Sequence, residues 1–258
     1  MTTKMPVLFV GHGSPMVALE DSNITRAWKK IAENIPQPMA ILAISAHWYG
    51  DDNRIQSDQK PKQIYDMYGF PMELYEIKYE PKGDLPLTKR VQELLGSSLT
   101  IDDDWGIDHG TWSVLVHMYP KVDIPVVQLS INMKASGKQL FEIGERLMPL
   151  RDEGVLLFGT GNIVHNLRKA KWGMEDGTPE ADEFDQWVKE RILERDVDAI
   201  MNYKAHPLAP YAAPTPDHFI PLLYILGATR AGDEITVFNE VRQLGSISMT
   251  GYLWGPSA

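Results

Sequence analysis

The sequence predicts an α/β fold: a three-layer single domain with a central mixed or mostly parallel sheet flanked by helices. Short apolar runs with the length of buried strands alternate with stretches whose apolar residues recur at helical spacing. Such alternation is typical of a sheet covered by helices on both faces. A hydrophobic content of 43% over 258 residues supplies enough apolar side chains for a sizeable core.

Strand predictions rest on short aliphatic or β-branched runs bounded by Gly, Pro or polar residues. Four runs meet this description: residues 6–10, 39–45, 125–131 and 154–158. Near the carboxyl terminus, residues 234–239 and 246–253 are predicted to pair as a hairpin or sheet edge. In sheets of this kind, ligands bind outside the carboxyl ends of the strands. Residues that directly follow a predicted strand are therefore the first candidates for a site.

Helix predictions rest on helical periodicity and on capping residues. Ser22 is predicted to cap a helix over residues 22–35, and Thr178 caps a helix over residues 179–193 that begins with a proline. Further helices are predicted over residues 85–95, 111–118 and 136–148.

The charge and composition exclude several classes of function. A formal net charge of -10 opposes binding to phosphate backbones, so nucleic acid is not expected as a partner. The chain has no cysteine, which removes thiolate nucleophiles, disulfides and cysteine-ligated metals. No run reaches the roughly 18 apolar residues of a membrane span, and the start of the chain does not resemble a signal peptide. The expected location is the cytoplasm, without a membrane partner.

Four of the seven histidines stand where a predicted strand ends or where a helix or loop begins: His12, His47, His165 and His218. Ligands at separate strand ends can converge on one point, and neutral imidazole is the commonest protein ligand for a metal. Three of them also have a structural alternative when taken alone. A turn residue explains His12, a satisfied core residue explains His47, and a helix start explains His218. The joint placement is what indicates a metal site.

A fifth histidine, His109, lies next to Asp108 in a loop that leads into the helix predicted over residues 111–118. It is a candidate for acid–base chemistry, and its structural alternative is a helix cap or a buried turn. His117 is interpreted as a packing residue, and His206 borders a proline-rich loop over residues 207–216. The tyrosine-rich stretch over residues 65–79 is interpreted either as a cover over the site or as an ordinary surface loop.

Five strings occur in order across most of the chain: GHGSP, SAHW, GIDHGTW, GTGNIVHN and TPDHFIPL. Together they resemble the class III extradiol ring-cleavage dioxygenases, specifically the branch that is similar to DOPA extradiol dioxygenases. The GTGN part lacks the third glycine of a dinucleotide fingerprint, so no dinucleotide cofactor is predicted.

The resemblance implies that residues 1–258 form a single catalytic domain with one divalent metal, Zn²⁺ as bound in crystals and Fe²⁺ for dioxygenase activity. His12, His47 and His218 would hold the metal. His165 would be either a fourth metal ligand or a catalytic acid–base residue, and His109 a catalytic residue that hydrogen-bonds substrate or oxygen. The wider family uses two histidines and a glutamate, so the ligand role of His218 follows the narrower branch.

The expected function is extradiol cleavage of a catechol such as DOPA, in which both atoms of O2 are inserted next to the diol to give a semialdehyde. The expected partners are the catechol and O2, and the sequence predicts no oligomeric state. Three alternatives remain open at this stage. They are a zinc-dependent hydrolase or amidase that uses the same histidines, a tetrapyrrole metal chelatase, and a non-enzymatic binding protein on the same scaffold.

Overall fold

A central eight-stranded sheet organises the computed structural model, which describes residues 4–96 and 99–255. Chain order gives the strands as β1 (Val7–Gly11), β2 (Ala40–Gly50), β3 (Asn53–Ile55), β4 (Leu99–Ile101), β5 (Val126–Asn132), β6 (Val155–Gly161), β7 (Glu234–Phe238), β8 (Arg242–Gln243), β9 (Ile247–Ser248) and β10 (Gly251–Gly255). The spatial order is β4-β3-β5-β2-β6-β1-β10-β7, and β8 pairs with β9 in a separate small sheet.

The sheet is mixed, as predicted. Its centre is parallel, because β2 pairs with β5 and β6, and β6 pairs with β1, all in parallel. The edge is antiparallel, because β10 pairs in that sense with both β1 and β7. The carboxyl ends of β1, β2 and β6 therefore lie side by side at the same end of the sheet.

Helices cover both faces of this sheet. They are α1 (Asn23–Asn34), α2 (Met72–Glu76), α3 (Leu85–Leu95), α4 (His109–Met118), α5 (Gly137–Leu147), α6 (Pro179–Leu193), α7 (Val197–Met201), α8 (Ala209–Ala212) and α9 (Ile220–Gly227). Ser22 and Thr178 cap α1 and α6 through their side-chain oxygens, which confirms both capping predictions.

Two hydrophobic clusters lie on the two faces of the sheet. Along β1, Val7 and Phe9 belong to the cluster that packs on α5, α6 and α9, whereas Leu8 and Val10 belong to the cluster that packs on α1 and α4. The alternation follows from the two-residue period of a strand. It gives three layers, helix on sheet on helix, and the predicted fold class is confirmed.

The predicted strand over residues 246–253 is wrong in its extent. The chain forms the short strand β9, leaves strand geometry, and re-enters the main sheet only at Gly251. Before β9, Leu244 and Gly245 both have positive φ angles and form the turn between β8 and β9. The predicted sheet edge is confirmed, since β10 lies beside the edge strand β7. Among the helices that the structure describes, none has the length and apolar character needed to cross a membrane.

Candidate metal centre

Five histidines converge at the carboxyl edge of the parallel strands. His12 directly follows β1, His47 lies in the last part of β2, and His165 follows β6. The remaining two, His109 and His218, stand at the start of α4 and just before α9. The strand that carries His47 runs five residues further than predicted, to Gly50, past a register shift between Ile44 and Tyr49.

The imidazoles form one continuous cluster. The Nε2 atoms of His12 and His47 are 3.1 Å apart, and the ring centroids of His47 and His109 are 4.0 Å apart. The ring of His165 stacks on that of His218 at 3.5 Å, and His218 lies 5.3 Å from His12 between centroids. His12, His109 and His218 are buried, whereas His47 and His165 are partly exposed and mark the open side of the cluster.

Thr160, on β6, fixes the proton position of His12. The Thr160 hydroxyl donates its one proton to the carbonyl oxygen of Gly110 at 2.6 Å. It can therefore only accept from His12 Nδ1, which lies 2.9 Å away. His12 is thus protonated at Nδ1, and the lone pair of its Nε2 faces His47.

The carboxylates of Asp66 and Asp217 lie beside the Nδ1 atoms of His47 and His218, as Thr160 does for His12. Oδ2 of Asp66 lies 3.1 Å from His47 Nδ1, and Oδ2 of Asp217 lies 2.5 Å from His218 Nδ1. A carboxylate beside Nδ1 favours a proton on that nitrogen and leaves Nε2 free as a ligand, which is the common arrangement around protein-bound metals. Asp66 and Thr160 could not be identified from the sequence, because no local pattern indicates which distant histidine a side chain will meet. Asp217 directly precedes His218, but adjacency alone does not show that its carboxylate faces the ring.

Asp108 is adjacent to His109 in sequence, but its carboxylate points elsewhere. It accepts hydrogen bonds from Ser45 Oγ at 2.7 Å, from Trp105 Nε1 at 3.1 Å and from the side-chain amide of Gln128. Burial, the largest contribution, raises the pKa of Asp108. The residue belongs to the buried network that supports the start of α4.

Burial keeps most of these imidazoles neutral. It is the largest cause that lowers the pKa of His12 and of His218 well below 6.5, and it lowers the pKa of His165 to about 4. For His47 burial also lowers the pKa, but the carboxylates of Asp66, Asp108 and Asp217 together outweigh it and raise the pKa. For Asp66 the contacts with His109 and His47 outweigh the effect of burial and hold its pKa well below the usual range.

Glycines at two positions allow the histidines to come this close. Gly13 has a left-handed φ of 64°, which turns the chain sharply after His12. A Cβ atom on Gly161 would lie 2.1 Å from the carbonyl oxygen of His218. The absence of a side chain at Gly161 therefore lets the segment that carries His218 pack directly on the end of β6.

The donor set fits a divalent metal. Ligand nitrogens at about 2.05 Å from a tetrahedral ion are about 3.3 Å from one another. The 3.1 Å between two Nε2 atoms is close to that separation. Two lone pairs at this distance repel each other unless a metal ion or a proton lies between them. The ligand atoms of His12, His47 and His109 all lie within 4.8 Å of one another, as do those of His165, Asp217 and His218.

The proline-rich loop over residues 207–216 packs against the His165 segment, since the His165 amide donates to Ala212 O at 2.8 Å. His206 lies apart from the cluster, and its ring packs at a tilt of 38° against Trp187, with the centroids 4.6 Å apart. His117 also lies apart, with its Nε2 atom 2.8 Å from Val17 O, in agreement with its interpretation as a packing residue.

A mixed α/β sheet with a histidine cluster at the carboxyl ends of its strands defines the class of a metal-dependent enzyme with an open catalytic edge. The chain belongs to the family described as the catalytic LigB subunit of aromatic ring-opening dioxygenase, whose model matches residues 6–251.

Named relatives agree with this assignment. The chain is 42% identical to the 4,5-DOPA dioxygenase extradiol of Escherichia coli (strain K12) over 96% of this chain and 94% of the relative. It is 34% identical to the protein of the same name from Beta vulgaris, over 95% and 94%. A solved structure of an uncharacterized protein from Escherichia coli K12 matches with a TM-score of 0.85 and 39% identity, and it covers 97% of this chain and all of that one.

The protein is therefore a metal-dependent, extradiol-type aromatic ring-opening dioxygenase. Family membership favours this activity over the hydrolase, the chelatase and the non-enzymatic binding protein that the sequence left open.

Proposed function

We propose that residues 1–258 act as a single catalytic domain that opens the ring of a catechol such as DOPA, and that Fe²⁺ is the working metal. The two atoms of O2 enter at the carbon–carbon bond next to the diol, and the product carries an aldehyde and a carboxylate. The observation that supports this proposal most is the convergence of imidazoles, with the Nε2 atoms of His12 and His47 only 3.1 Å apart.

His12, His47 and His218 are the proposed metal ligands. Each has its Nδ1 beside an oxygen of another side chain, Thr160, Asp66 or Asp217, which leaves Nε2 available. Three protein ligands leave coordination positions open for a catechol and O2. A bound Fe²⁺ would supply the redox chemistry that Zn²⁺ lacks.

His165 is proposed as the acid–base residue, with a role as fourth ligand as the alternative. Within the described part of the chain its imidazole makes no side-chain hydrogen bond, and it lies partly exposed against His218. A neutral ring that is not tied to a carboxylate is suited to take a proton from the catechol and to return it later.

His109 is proposed to hydrogen-bond the substrate or oxygen. It is buried next to His47 and its Nδ1 lies 3.0 Å from Oδ1 of Asp66. The proton on Nδ1 then leaves Nε2 as an acceptor for a substrate hydroxyl. The alternative is that His109 replaces one of the other histidines as a metal ligand, since its ligand atom lies within 4.8 Å of those of His12 and His47.

The test is anaerobic reconstitution of metal-free protein with Fe²⁺ or Zn²⁺, followed by measurement of oxygen uptake and of the yellow semialdehyde. DOPA, protocatechuate and caffeate form the substrate panel, because the relatives named as DOPA dioxygenases support DOPA as the first choice. We expect turnover with Fe²⁺, none with Zn²⁺, and none in the His12→Ala variant. Robust turnover with iron rigorously excluded would contradict the proposal.

A further inference from the structure

One carboxylate contacts two histidines of the cluster at once. Oδ2 of Asp66 lies 3.1 Å from Nδ1 of His47, and Oδ1 lies 3.0 Å from Nδ1 of His109. These are close electrostatic contacts and not aligned hydrogen bonds, since neither Asp66 Oδ2 nor His109 Nδ1 has a hydrogen-bond partner of normal geometry among the described residues. The same Oδ1 accepts a hydrogen bond from the backbone amide of His109 at 2.9 Å. The Asp66 side chain is only 11% exposed, so these contacts are made largely out of water.

Hydrogen bonds tie the residues just before Asp66 to the segment around the start of α4. Ile64 donates its amide to Ile107 O at 2.8 Å, and Ile107 donates to Lys62 O at 2.8 Å. The indole of Trp112 donates to Ile64 O at 2.9 Å. Asp66 is thus only two residues beyond a backbone ladder that ties its segment to the start of α4.

Side-chain hydrogen bonds also join the start of this segment to residues 77–79. Gln63 Oε1 accepts from the amide of Tyr79 at 2.9 Å, and Gln63 Nε2 donates to Ile77 O at 3.1 Å. The Tyr65 hydroxyl donates to the same Ile77 carbonyl at 2.7 Å. These bonds make residues 63–79 a self-supported lobe, and a lobe of this kind can hold one side chain in a fixed place.

We propose that Asp66 is a positioning residue that holds His47 and His109 as Nδ1-protonated tautomers and so directs both Nε2 atoms into the metal centre. The inference rests on the proposed role of His47 as a metal ligand. A single carboxylate then aligns a ligand and the substrate-facing histidine together. Groups that orient metal-ligating histidines typically change metal affinity by 10–100-fold when they are removed.

Asp66→Asn tests this with almost no change in shape. An asparagine has one acceptor oxygen and one NH2 group, so the amide must donate towards one of the two Nδ1 atoms. If its oxygen keeps the His109 contacts, its NH2 faces His47 and drives His47 to the Nε2-protonated tautomer, which cannot bind a metal through that nitrogen. Asp66→Ala removes both acceptors and should leave both rings as tautomer mixtures.

The first readout is the ¹⁵N spectrum of histidine-labelled, metal-free protein, which reports the tautomer of each ring. The second is Zn²⁺ affinity measured by competition with a chelator. We expect an altered His47 tautomer and about 10–100-fold weaker binding in Asp66→Asn. Glu73→Gln is the matched control, because it removes one negative charge from an exposed position on the same lobe and should change neither readout.

Unchanged tautomers in Asp66→Asn and Asp66→Ala, or unchanged Zn²⁺ affinity in both, would overturn the inference. Neither readout involves a catechol. If the parent protein binds metal but opens no ring, the proposed function fails and the role of Asp66 is unaffected. If the parent protein is active but the variants keep its tautomers, the role of Asp66 fails and the proposed function is unaffected.

Discussion

At the scale of single residues, the site is defined less by its histidines than by the oxygen atoms behind them. Thr160 gives the simplest case, since its proton is committed to Gly110 O and only its lone pairs face His12. The sequence could identify the histidines because several follow recognisable strands. It could not identify the oxygen partners. Thr160 is 148 positions from His12 and Asp66 is 43 positions from His109. Asp217 directly precedes His218, but adjacency alone does not show where its carboxylate points.

Thr160→Val should weaken metal binding by about 10–100-fold, because His12 loses the acceptor that fixes its tautomer. The buried Gly110 carbonyl also loses its side-chain donor, which should lower the free energy of unfolding by about 1–3 kcal/mol. Chelator competition and urea denaturation measure the two effects. Thr229→Val, which removes the hydroxyl that donates to Leu226 O, should leave metal binding unchanged. Equal metal affinity in both variants would contradict this account of His12.

Gly161→Ala should disturb the position of His218, since the new Cβ would meet the His218 carbonyl oxygen at 2.1 Å. Overpacking of this kind costs about 1–3 kcal/mol of unfolding free energy, and we expect weaker metal binding with it. Gly232→Ala is the control because, apart from its chain neighbours, no heavy atom of the described residues lies within 4 Å of its Cβ position, and its effect should stay within about 0.5 kcal/mol. Thermal denaturation and metal titration compare the pair, and a Gly161→Ala variant as stable as the control would refute the argument.

At the scale of elements, the catalytic edge is assembled from strand ends and helix starts. The central strands could be predicted because β1, β5 and β6 are short, apolar and buried on both faces. The extension of β2 past His47 could not be predicted, because the polar and aromatic residues after Ala46 break the apolar run while pairing with β5 continues. Between β9 and β10 the backbone of Ser248 and Met249 passes so close to Gly11 that a Cβ atom there would lie 2.6 Å from Ser248 O, and this approach of residues far apart in the sequence has no local signature.

A buried ion pair stabilises the opposite end of the sheet, where the strands begin. Arg151 is fully buried and donates to both carboxylate oxygens of Asp233 at 2.7 and 2.8 Å, as well as to Met5 O and Ala228 O. These residues lie just before β1, β6 and β7, at the amino ends of the strands. Stability at this end and chemistry at the other are therefore spatially separated.

Asp233→Asn should lower the free energy of unfolding by about 3–5 kcal/mol, because it leaves the buried Arg151 charge without its counterion. Metal affinity should be unchanged. Glu153→Gln, which breaks the exposed pair with Arg90, should cost at most about 1 kcal/mol. Urea denaturation of both variants at pH 7 provides the comparison, and equal losses would contradict the assigned importance of burial.

The same pair gives a pH dependence of defined sign. Burial alone raises the pKa of Asp233, but Arg151 and the Arg230 amide outweigh it, so the pKa of the folded state lies below the ordinary 3.8. Its contribution to stability is present above that ordinary value and is lost as the pH falls through the lower, folded-state value. The difference between the parent and Asp233→Asn should therefore shrink only in acid, and a difference that shrinks between pH 5 and pH 8 would contradict the assignment.

At the scale of the whole molecule, one mixed sheet carries a cluster of imidazoles at the carboxyl ends of its parallel strands and a buried ion pair at their amino ends. The motif order in the sequence was sufficient to indicate the family, and the family match and the fold confirm it. What the sequence could not give is the support around the cluster, because a tertiary contact such as that of Asp66 with two histidines has no local signature.

The most direct test of ring opening by this centre is an isotope experiment. Fe²⁺-reconstituted protein is supplied with DOPA under ¹⁸O₂, and the product is trapped by reduction of its aldehyde before mass spectrometry, so that exchange with water is limited. We expect consumption of one O2 for each catechol and a ring-opened product that carries both ¹⁸O atoms, with no product from the His12→Ala variant. A product without ¹⁸O, or oxidation of the catechol to a quinone with its ring intact, would contradict the proposed function.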